Sequence, residues 1–237
     1  MRYTEKIFSQ AEIEKNVCFT TVPGYDDAHT ETTLRMDVYA PAGDCEKGRR
    51  GIILVHGGGF VANTKEQDYI VILANELAKY GYVCFSIEYR LFPMEKKPVR
   101  KDGAAAAVAD IEAARRFITE NGTRFGIDPE KLSICGGSTG GMAGIDACKV
   151  YPYKNFVCLW GGYAGMEIPK EYVSAFIVHG TADESVPYEF GTELCEKIKA
   201  GGNRCQMITL EGAKHTAIDR YDQFGDAMVQ FLDEGYR

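Results

Sequence analysis

A serine among glycines near the middle of the chain is the residue best suited to nucleophilic chemistry. Ser138 is the centre of the pentapeptide GGSTG at 136–140, which follows an apolar run and precedes a helical pattern. A strained turn from strand to helix needs glycine at 136 and 140, because neighbouring backbone leaves no room for a Cβ atom, and it exposes the serine at its tip. The turn could be a mere connector, but its position between strand and helix favours a nucleophile.

Three successive glycines follow another apolar run. They lie at 57–59, directly after His56. Such a run lets backbone N–H groups point at one spot, where they could stabilise an oxyanion, and the N–H of Thr139 would complete the hole. A flexible loop or a phosphate-binding turn is the alternative, but neither common phosphate-loop motif occurs here.

A serine nucleophile needs a base, and the chain has four histidines. His29 lies in an early polar turn, His56 belongs to the glycine loop, and His179 ends a predicted strand, where a histidine is more often packed than catalytic. His215 remains, in a loop between the last predicted strand and the last helix, where catalytic bases commonly lie.

An orienting acid is expected a few residues beyond another strand. Asp183 follows the run that ends at His179, so it and His215 should both emerge at the carboxyl edge of the sheet. The chain order Ser138, Asp183, His215 is the order expected for this type of triad.

The elements that must position these residues alternate along the chain. Two alternating segments at 16–22 and 34–39 predict an antiparallel hairpin, and later apolar runs alternate with helical patterns, which predicts an α/β fold with a mostly parallel sheet covered on both faces. The later strands are predicted at 52–56, 82–87, 132–135, 156–160, 174–179 and 205–210, and the helices at 65–80, 103–121, 140–149, 188–200 and 219–234.

From about Leu34 onward the chain resembles the α/β-hydrolase superfamily, and within it the HGGG-containing serine esterases similar to hormone-sensitive lipase and to small bacterial acetyl and feruloyl esterases. The resemblance rests on HGGGF at 56–60, EYRLFP at 88–93, GGSTGG at 136–141, HGTADESVP at 179–187 and GAKH at 212–215. It implies that Ser138 is the nucleophile, His215 the base and Asp183 the orienting acid, with Gly58, Gly59 and Thr139 as oxyanion donors.

The chain departs from these relatives in its elbow and in its size. Many of them have an acidic residue and an alanine where this chain has Gly137 and Thr139. Relatives with a full helical cap are longer, and only 13 residues, 161–173, separate the fourth and fifth of the later strands. Any lid is therefore expected to be small, and the site open. We expect a single domain over 1–237, in which residues 1–21 form either a small lid or an N-terminal extension.

Composition excludes several classes of protein. A formal charge of −7 without a basic block argues against nucleic-acid binding. No apolar run approaches the roughly 20 residues that span a membrane, and the first residues lack a signal-peptide pattern, so a cytoplasmic protein with eight reduced cysteines is expected.

These features predict a serine carboxylic-ester hydrolase acting through an acyl-serine intermediate. The expected substrates are short-chain or aromatic acyl esters, of small molecules or of plant carbohydrate bearing acetyl or feruloyl groups, and no metal or organic cofactor is required. Two alternatives stay open, namely an amide hydrolase with the same triad, such as a formamidase or small peptidase, and a non-catalytic receptor for small molecules. The oligomeric state is left open as well.

Overall fold

An eight-stranded sheet forms the centre of the molecule. The computed structural model describes residues 1–168 and 173–236, and within them the strand order is β1-β2-β4-β3-β5-β6-β7-β8. The first two pairings, β1 with β2 and β2 with β4, are antiparallel, and the others are parallel, which confirms the predicted sheet with its N-terminal hairpin. The strands are β1 (Ala11–Pro23), β2 (Glu31–Pro41), β3 (Arg49–Val55), β4 (Val83–Ile87), β5 (Ile127–Gly137), β6 (Phe156–Leu159), β7 (Ala175–Gly180) and β8 (Cys205–Leu210).

Helices cover both faces of this sheet. They are α1 (Asp68–Lys79), α2 (Arg100–Glu120), α3 (Gly122–Phe125), α4 (Thr139–Ala147), α5 (Tyr188–Ala200) and α6 (Gly225–Glu234), with 3₁₀ turns at Met94–Lys96 and Ile218–Gln223. Neighbouring residues of β3 point to opposite faces, so Ile53 packs with the cluster under α2, α4 and α5, and Ile52 packs with the cluster under α1 and α6. Both layers bury apolar side chains, as parallel strands require.

Several element boundaries differ from prediction, among them those of the last helix and the first strand. The helix predicted at 219–234 is split, because the backbone at Phe224 is not helical and Gly225 lies against the ring of Tyr221, where a Cβ atom would come within 2.5 Å. Strand β1 begins at Ala11 rather than at 16, and its first half is mostly exposed. Its backbone pairing with β2 at the edge of the sheet needs no apolar alternation, so this half carried no hydrophobic pattern.

The N-terminal segment lies away from the elbow. The N–H of Tyr3 donates to the carbonyl of Tyr80 at 2.8 Å, and the guanidinium of Arg50 lies 4.0 Å from the centre of the Tyr3 ring. Arg50 is at the amino end of β3, whereas Ser138 follows the carboxyl end of β5. The contacts of Tyr3 therefore lie at the opposite end of the parallel strands from Ser138. In the connection 161–173, which leaves room for only a small lid, residues 169–172 lie outside the described residues.

Among residues 1–168 and 173–236, no helix has the length and hydropathy needed to cross a membrane. The same residues contain no group of three or more histidine, cysteine, aspartate or glutamate side chains arranged to hold a metal ion. The eight cysteines, all of which fall in this part of the chain, are free thiols.

Candidate active site

The strained turn expected at Ser138 is present between β5 and α4. Ser138 has φ 55° and ψ −124°, in the left-handed range that non-glycine residues rarely adopt. A Cβ atom on Gly136 would lie 2.3 Å from the carbonyl of Gly140, and one on Gly140 would lie 2.1 Å from the carbonyl oxygen of Val55. Both positions accept only glycine, so the backbone holds Ser138 at the tip of the elbow.

The structure brings the three residues of the predicted triad together. The Ser138 hydroxyl donates to His215 Nε2 at 3.0 Å, and His215 Nδ1–H donates to Asp183 Oδ2 at 2.7 Å. Asp183 follows β7 and His215 follows β8, so neighbouring parallel strands deliver the acid and the base to one edge of the sheet. A nucleophile bonded to a base that is itself oriented by a carboxylate is an arrangement suited to acyl transfer.

Asp183 is held as a carboxylate. Its side chain is fully buried, which by itself raises the pKa of the carboxyl group, but hydrogen bonds from His215 and from the backbone N–H groups of Val186 and Ser185 outweigh burial and lower that pKa. The two backbone donors reach Oδ1 at 2.9 and 2.8 Å. Oδ2 is left to orient the imidazole of His215.

The glycine loop after β3 lies beside the elbow. Gly58 has φ +119°, and a Cβ atom there would lie 2.0 Å from the carbonyl oxygen of Ala62. The loop is anchored on both sides of Gly57, whose carbonyl accepts from His56 Nδ1–H at 2.7 Å and whose N–H donates to Gln67 Oε1 at 2.9 Å. His56 thus holds the loop, as its position in the sequence suggested.

Comparisons with known proteins agree with this architecture. Residues 36–149 match the model of the BD-FAE family. Esterase 2 of Thermogutta terrifontis, in its form phosphoramylated by tabun, is 25% identical with a TM-score of 0.66, and the match covers 98% of this chain and 94% of that one. The sheet, the elbow and the match to nearly the whole of that solved structure all point to the same fold. The chain belongs to the α/β-hydrolase superfamily.

Sequence relatives of this α/β-hydrolase match it over shorter stretches. Human arylacetamide deacetylase-like 2 is 32% identical over 117 residues, which are 47% of this chain and 28% of that protein. Human alpha/beta hydrolase domain-containing protein 17B is 27% identical over 175 residues, covering 63% of this chain and 56% of its own length. The match thus spans about a quarter of the length of the first relative and a little more than half of the length of the second.

One of the implied oxyanion donors is engaged in this α/β-hydrolase. The Gly59 N–H donates to Thr139 Oγ1 at 3.1 Å. The resemblance implied that Gly59 offers its N–H to an oxyanion, and in this structure that N–H is engaged by the hydroxyl of Thr139, which relatives with alanine lack. Gly58 and Thr139, the other two implied donors, line the same cavity as Ser138.

Thr139→Val is expected to lower the free energy of unfolding by about 1 kcal/mol, because valine keeps the volume but leaves the Gly59 N–H without its acceptor. Urea denaturation of the wild type and the variant measures this. Thr139→Ser, which keeps the hydroxyl, shows what the methyl group contributes. If Thr139 only filled space, Thr139→Val would be as stable as the wild type.

A further histidine, His179, supports Asp183. Its Nε2–H donates to the carbonyl of Val186 at 2.9 Å and lies 3.3 Å from Asp183 Oδ2. Burial lowers the pKa of His179, so the ring is neutral near pH 7. Gly191 lets α5 approach this ring, since a Cβ atom there would lie 2.7 Å from Nδ1. The sequence favoured a packed histidine here, and within the described residues its Nε2 is hydrogen-bonded whereas the buried Nδ1 has no hydrogen-bond partner.

His56 makes the stability of this α/β-hydrolase depend on pH. Burial lowers the pKa of His56 to about 4, although its bond to Gly57 acts in the other direction. An unfolded histidine titrates near pH 6.5. The unfolded state therefore takes up the proton first as the pH falls, so this contribution to stability is complete above about pH 6.5 and is lost between there and about pH 4.

The wild type is expected to lose about 2 kcal/mol more unfolding free energy between pH 7 and pH 5 than His56→Asn does, because the variant lacks the titrating ring. Chemical denaturation of both proteins at the two pH values measures the difference. Equal losses would show that the His56 ring is protonated as easily in the folded protein as in the unfolded one.

A cavity of about 410 Å³ opens above the triad. Ser138, Thr139 and His215 contribute to its floor, together with the glycine loop. Its walls combine apolar side chains with polar and cationic ones. The apolar ones are Phe60, Tyr69, Met142 and Val186, and the polar and cationic ones are Asn63, Gln67, Lys97 and Arg100. A volume in this range suits a small organic ligand.

Proposed function

We propose that this α/β-hydrolase is a serine carboxylic-ester hydrolase. The observation that carries the proposal is the continuous hydrogen-bonded relay from Ser138 through His215 to Asp183, at 3.0 and 2.7 Å, on the floor of an open cavity. Further support comes from Thermogutta terrifontis esterase 2, which is 25% identical to this chain. That protein has also been solved in a form phosphorylated by paraoxon.

The relay would work by acyl transfer. His215 Nε2 takes the Ser138 proton as Oγ attacks the ester carbonyl, and the N–H groups of Gly58 and Thr139 stabilise the oxyanion. The tetrahedral intermediate then collapses, and the alcohol leaves with the proton carried by His215. Water enters, gives its proton to His215 and attacks the acyl-serine, which releases the carboxylic acid and restores the Ser138 hydroxyl. Throughout, Asp183 keeps the proton on His215 Nδ1 and stabilises the imidazolium that forms twice.

The acyl group in this proposal is short or aromatic. The cavity has room for a small acyl chain, and Phe60, Tyr69 and Met142 give it an apolar wall. The resemblance to small bacterial esterases extends the proposal to acetyl and feruloyl esters, including those linked to carbohydrate, which an open site can admit. No metal and no organic cofactor enters any step.

An amide substrate is the second candidate. The same relay cleaves amides when His215 can protonate a departing nitrogen. Relatives that are named arylacetamide deacetylase, such as the rabbit protein, which is 28% identical over 131 residues, favour this candidate. A formamide or an aryl acetamide is the simplest substrate of that kind.

A substrate panel separates these candidates. It contains 4-nitrophenyl acetate, butyrate and octanoate, methyl ferulate, acetylated xylan, N-formylkynurenine and 4-nitroacetanilide. Hydrolysis of acetate or ferulate esters supports the esterase, and turnover of only the two amides replaces it with the amide hydrolase. Labelling with a fluorophosphonate, followed by mass spectrometry of the peptide that holds Ser138, reports the nucleophile independently. A protein that neither hydrolyses the panel nor takes the label would instead be a receptor.

A further inference from the structure

We propose that Lys97 and Arg100 form a cationic subsite in the catalytic cavity, and that this subsite binds a carboxylate group on the substrate. The inference rests on the proposed ester hydrolysis and narrows its substrate class. It assigns a specificity role to two side chains that take no part in the acyl transfer itself.

Lys97 lies beside the glycine loop that carries the proposed oxyanion donors. A Cβ atom placed on Gly59 would lie 3.5 Å from Lys97 Nζ, so the ammonium lies over the loop that carries the oxyanion donors. The residue is exposed, and its side chain makes no hydrogen bond or ion pair with any other described residue. Its charge is therefore free to attract an anion that enters the cavity.

Arg100 stands on the same wall, at the first residue of α2. One of its terminal nitrogens donates to the carbonyl of Ser185, the residue whose own N–H binds Asp183 Oδ1. This bond fixes the guanidinium at the rim of the site. A guanidinium has five N–H groups, and Arg100 has no carboxylate partner among the described residues, so donors remain for a ligand in the fork geometry that suits a carboxylate.

The charge of the cavity contrasts with that of the whole chain. The protein carries a formal charge of −7, yet no aspartate or glutamate is among the described residues that line the cavity. Asp183 lies behind His215 with its side chain fully buried, and both of its oxygens accept hydrogen bonds. Among the described residues, an incoming carboxylate would thus meet two cations that lack a carboxylate partner, and no facing acid.

Two matched pairs of esters test the subsite. Mono-4-nitrophenyl glutarate and 4-nitrophenyl pentanoate differ by a carboxylate on the acyl side. 4-Acetoxybenzoate and 4-acetoxybenzamide differ by a carboxylate on the alcohol side. The readout is the ratio of kcat/KM for the anionic ester to that for the neutral one, with the background rate of the Ser138→Ala protein subtracted.

We expect the wild type to favour the anionic member of at least one pair by about tenfold, and Lys97→Met and Arg100→Met each to reduce that ratio about threefold or more, because each removes one charge–charge contact. Lys97→Glu should reverse the preference, and added salt should weaken it. Lys101→Met is the matched control, because this exposed neighbour does not line the cavity and its removal should leave the ratio unchanged.

The subsite is overturned if the wild type hydrolyses both members of each pair equally, or if the preference survives in the Lys97→Met/Arg100→Met double variant. In either case the neutral esters are still cleaved, so the ester hydrolase stands. Absence of hydrolysis of all four compounds overturns the hydrolase and the subsite together.

Discussion

Ser138→Ala is expected to reduce kcat for 4-nitrophenyl acetate by a factor of about 10⁴–10⁶, because removal of the nucleophile leaves only what binding and the oxyanion donors contribute. Both serine and alanine carry a Cβ atom, so the strained backbone at φ 55° is the same in each and the fold should be retained. Steady-state kinetics with the variant, at enzyme concentrations high enough to see residual turnover, measures the loss.

The control for this loss is a serine outside the site. Ser9→Ala changes an exposed residue in the N-terminal segment, at the far end of the sheet, and should leave kcat at the wild-type value. Thermal denaturation should show the same Tm for Ser138→Ala and the wild type within a few degrees. Activity within tenfold of the wild type in a folded Ser138→Ala protein would remove Ser138 from the role of nucleophile.

Asp183→Asn is expected to reduce kcat by a factor of about 10⁴, because it exchanges the acceptor that fixes the tautomer of the base. In the wild type, Oδ1 accepts two backbone N–H groups, from Ser185 and Val186, and Oδ2 accepts the proton of His215 Nδ1. The asparagine oxygen will face the two backbone donors, so its NH₂ group must face His215. The imidazole then carries its proton on Nε2, and a protonated Nε2 cannot accept the proton of Ser138.

Glu184→Gln is the matched control for Asp183→Asn. It makes the same change of charge at the next residue, whose side chain is exposed, and should leave kcat unchanged. Kinetics on 4-nitrophenyl acetate with both variants separates an effect of geometry from one of net charge. A loss of equal size in the two variants would show that Asp183 acts only through the electrostatic field of the region.

The sequence was sufficient to predict the parts of the site where chemistry leaves little choice. A Cβ atom at Gly136 or Gly140 would overlap the neighbouring backbone, so these residue types identify the elbow without a structure. The alternation of apolar runs and helical patterns likewise predicted where most of the strands lie in the sequence, because parallel strands buried on both faces need such runs. Asp183 and His215 followed from their positions just after the ends of two strands.

Contacts between residues that are distant in the sequence could not be predicted in this way. The hydrogen bond from Gly59 to Thr139 joins residues 80 positions apart, and nothing in either residue type specifies the partner. The approach of His179 to Asp183 depends on how the loop after β7 folds back, and on Gly191 in the following helix. The start of β1 at Ala11 was missed because an edge strand is held by its backbone rather than by an apolar face.

The order of the strands divides the proposed catalytic residues between the middle of the sheet and its margin. The nucleophile and the oxyanion loop follow β5 and β3, each flanked by strands on both sides, whereas the acid and the base follow β7 and β8, the last two strands on one side. A change in the loops after β3 and β5 must be accommodated by strands on both sides, whereas the loop after the edge strand β8 has a neighbouring strand, β7, on one side only. Substrate specificity is therefore expected to change most readily through the loop at that margin. Its length and composition can vary while the nucleophile keeps its position.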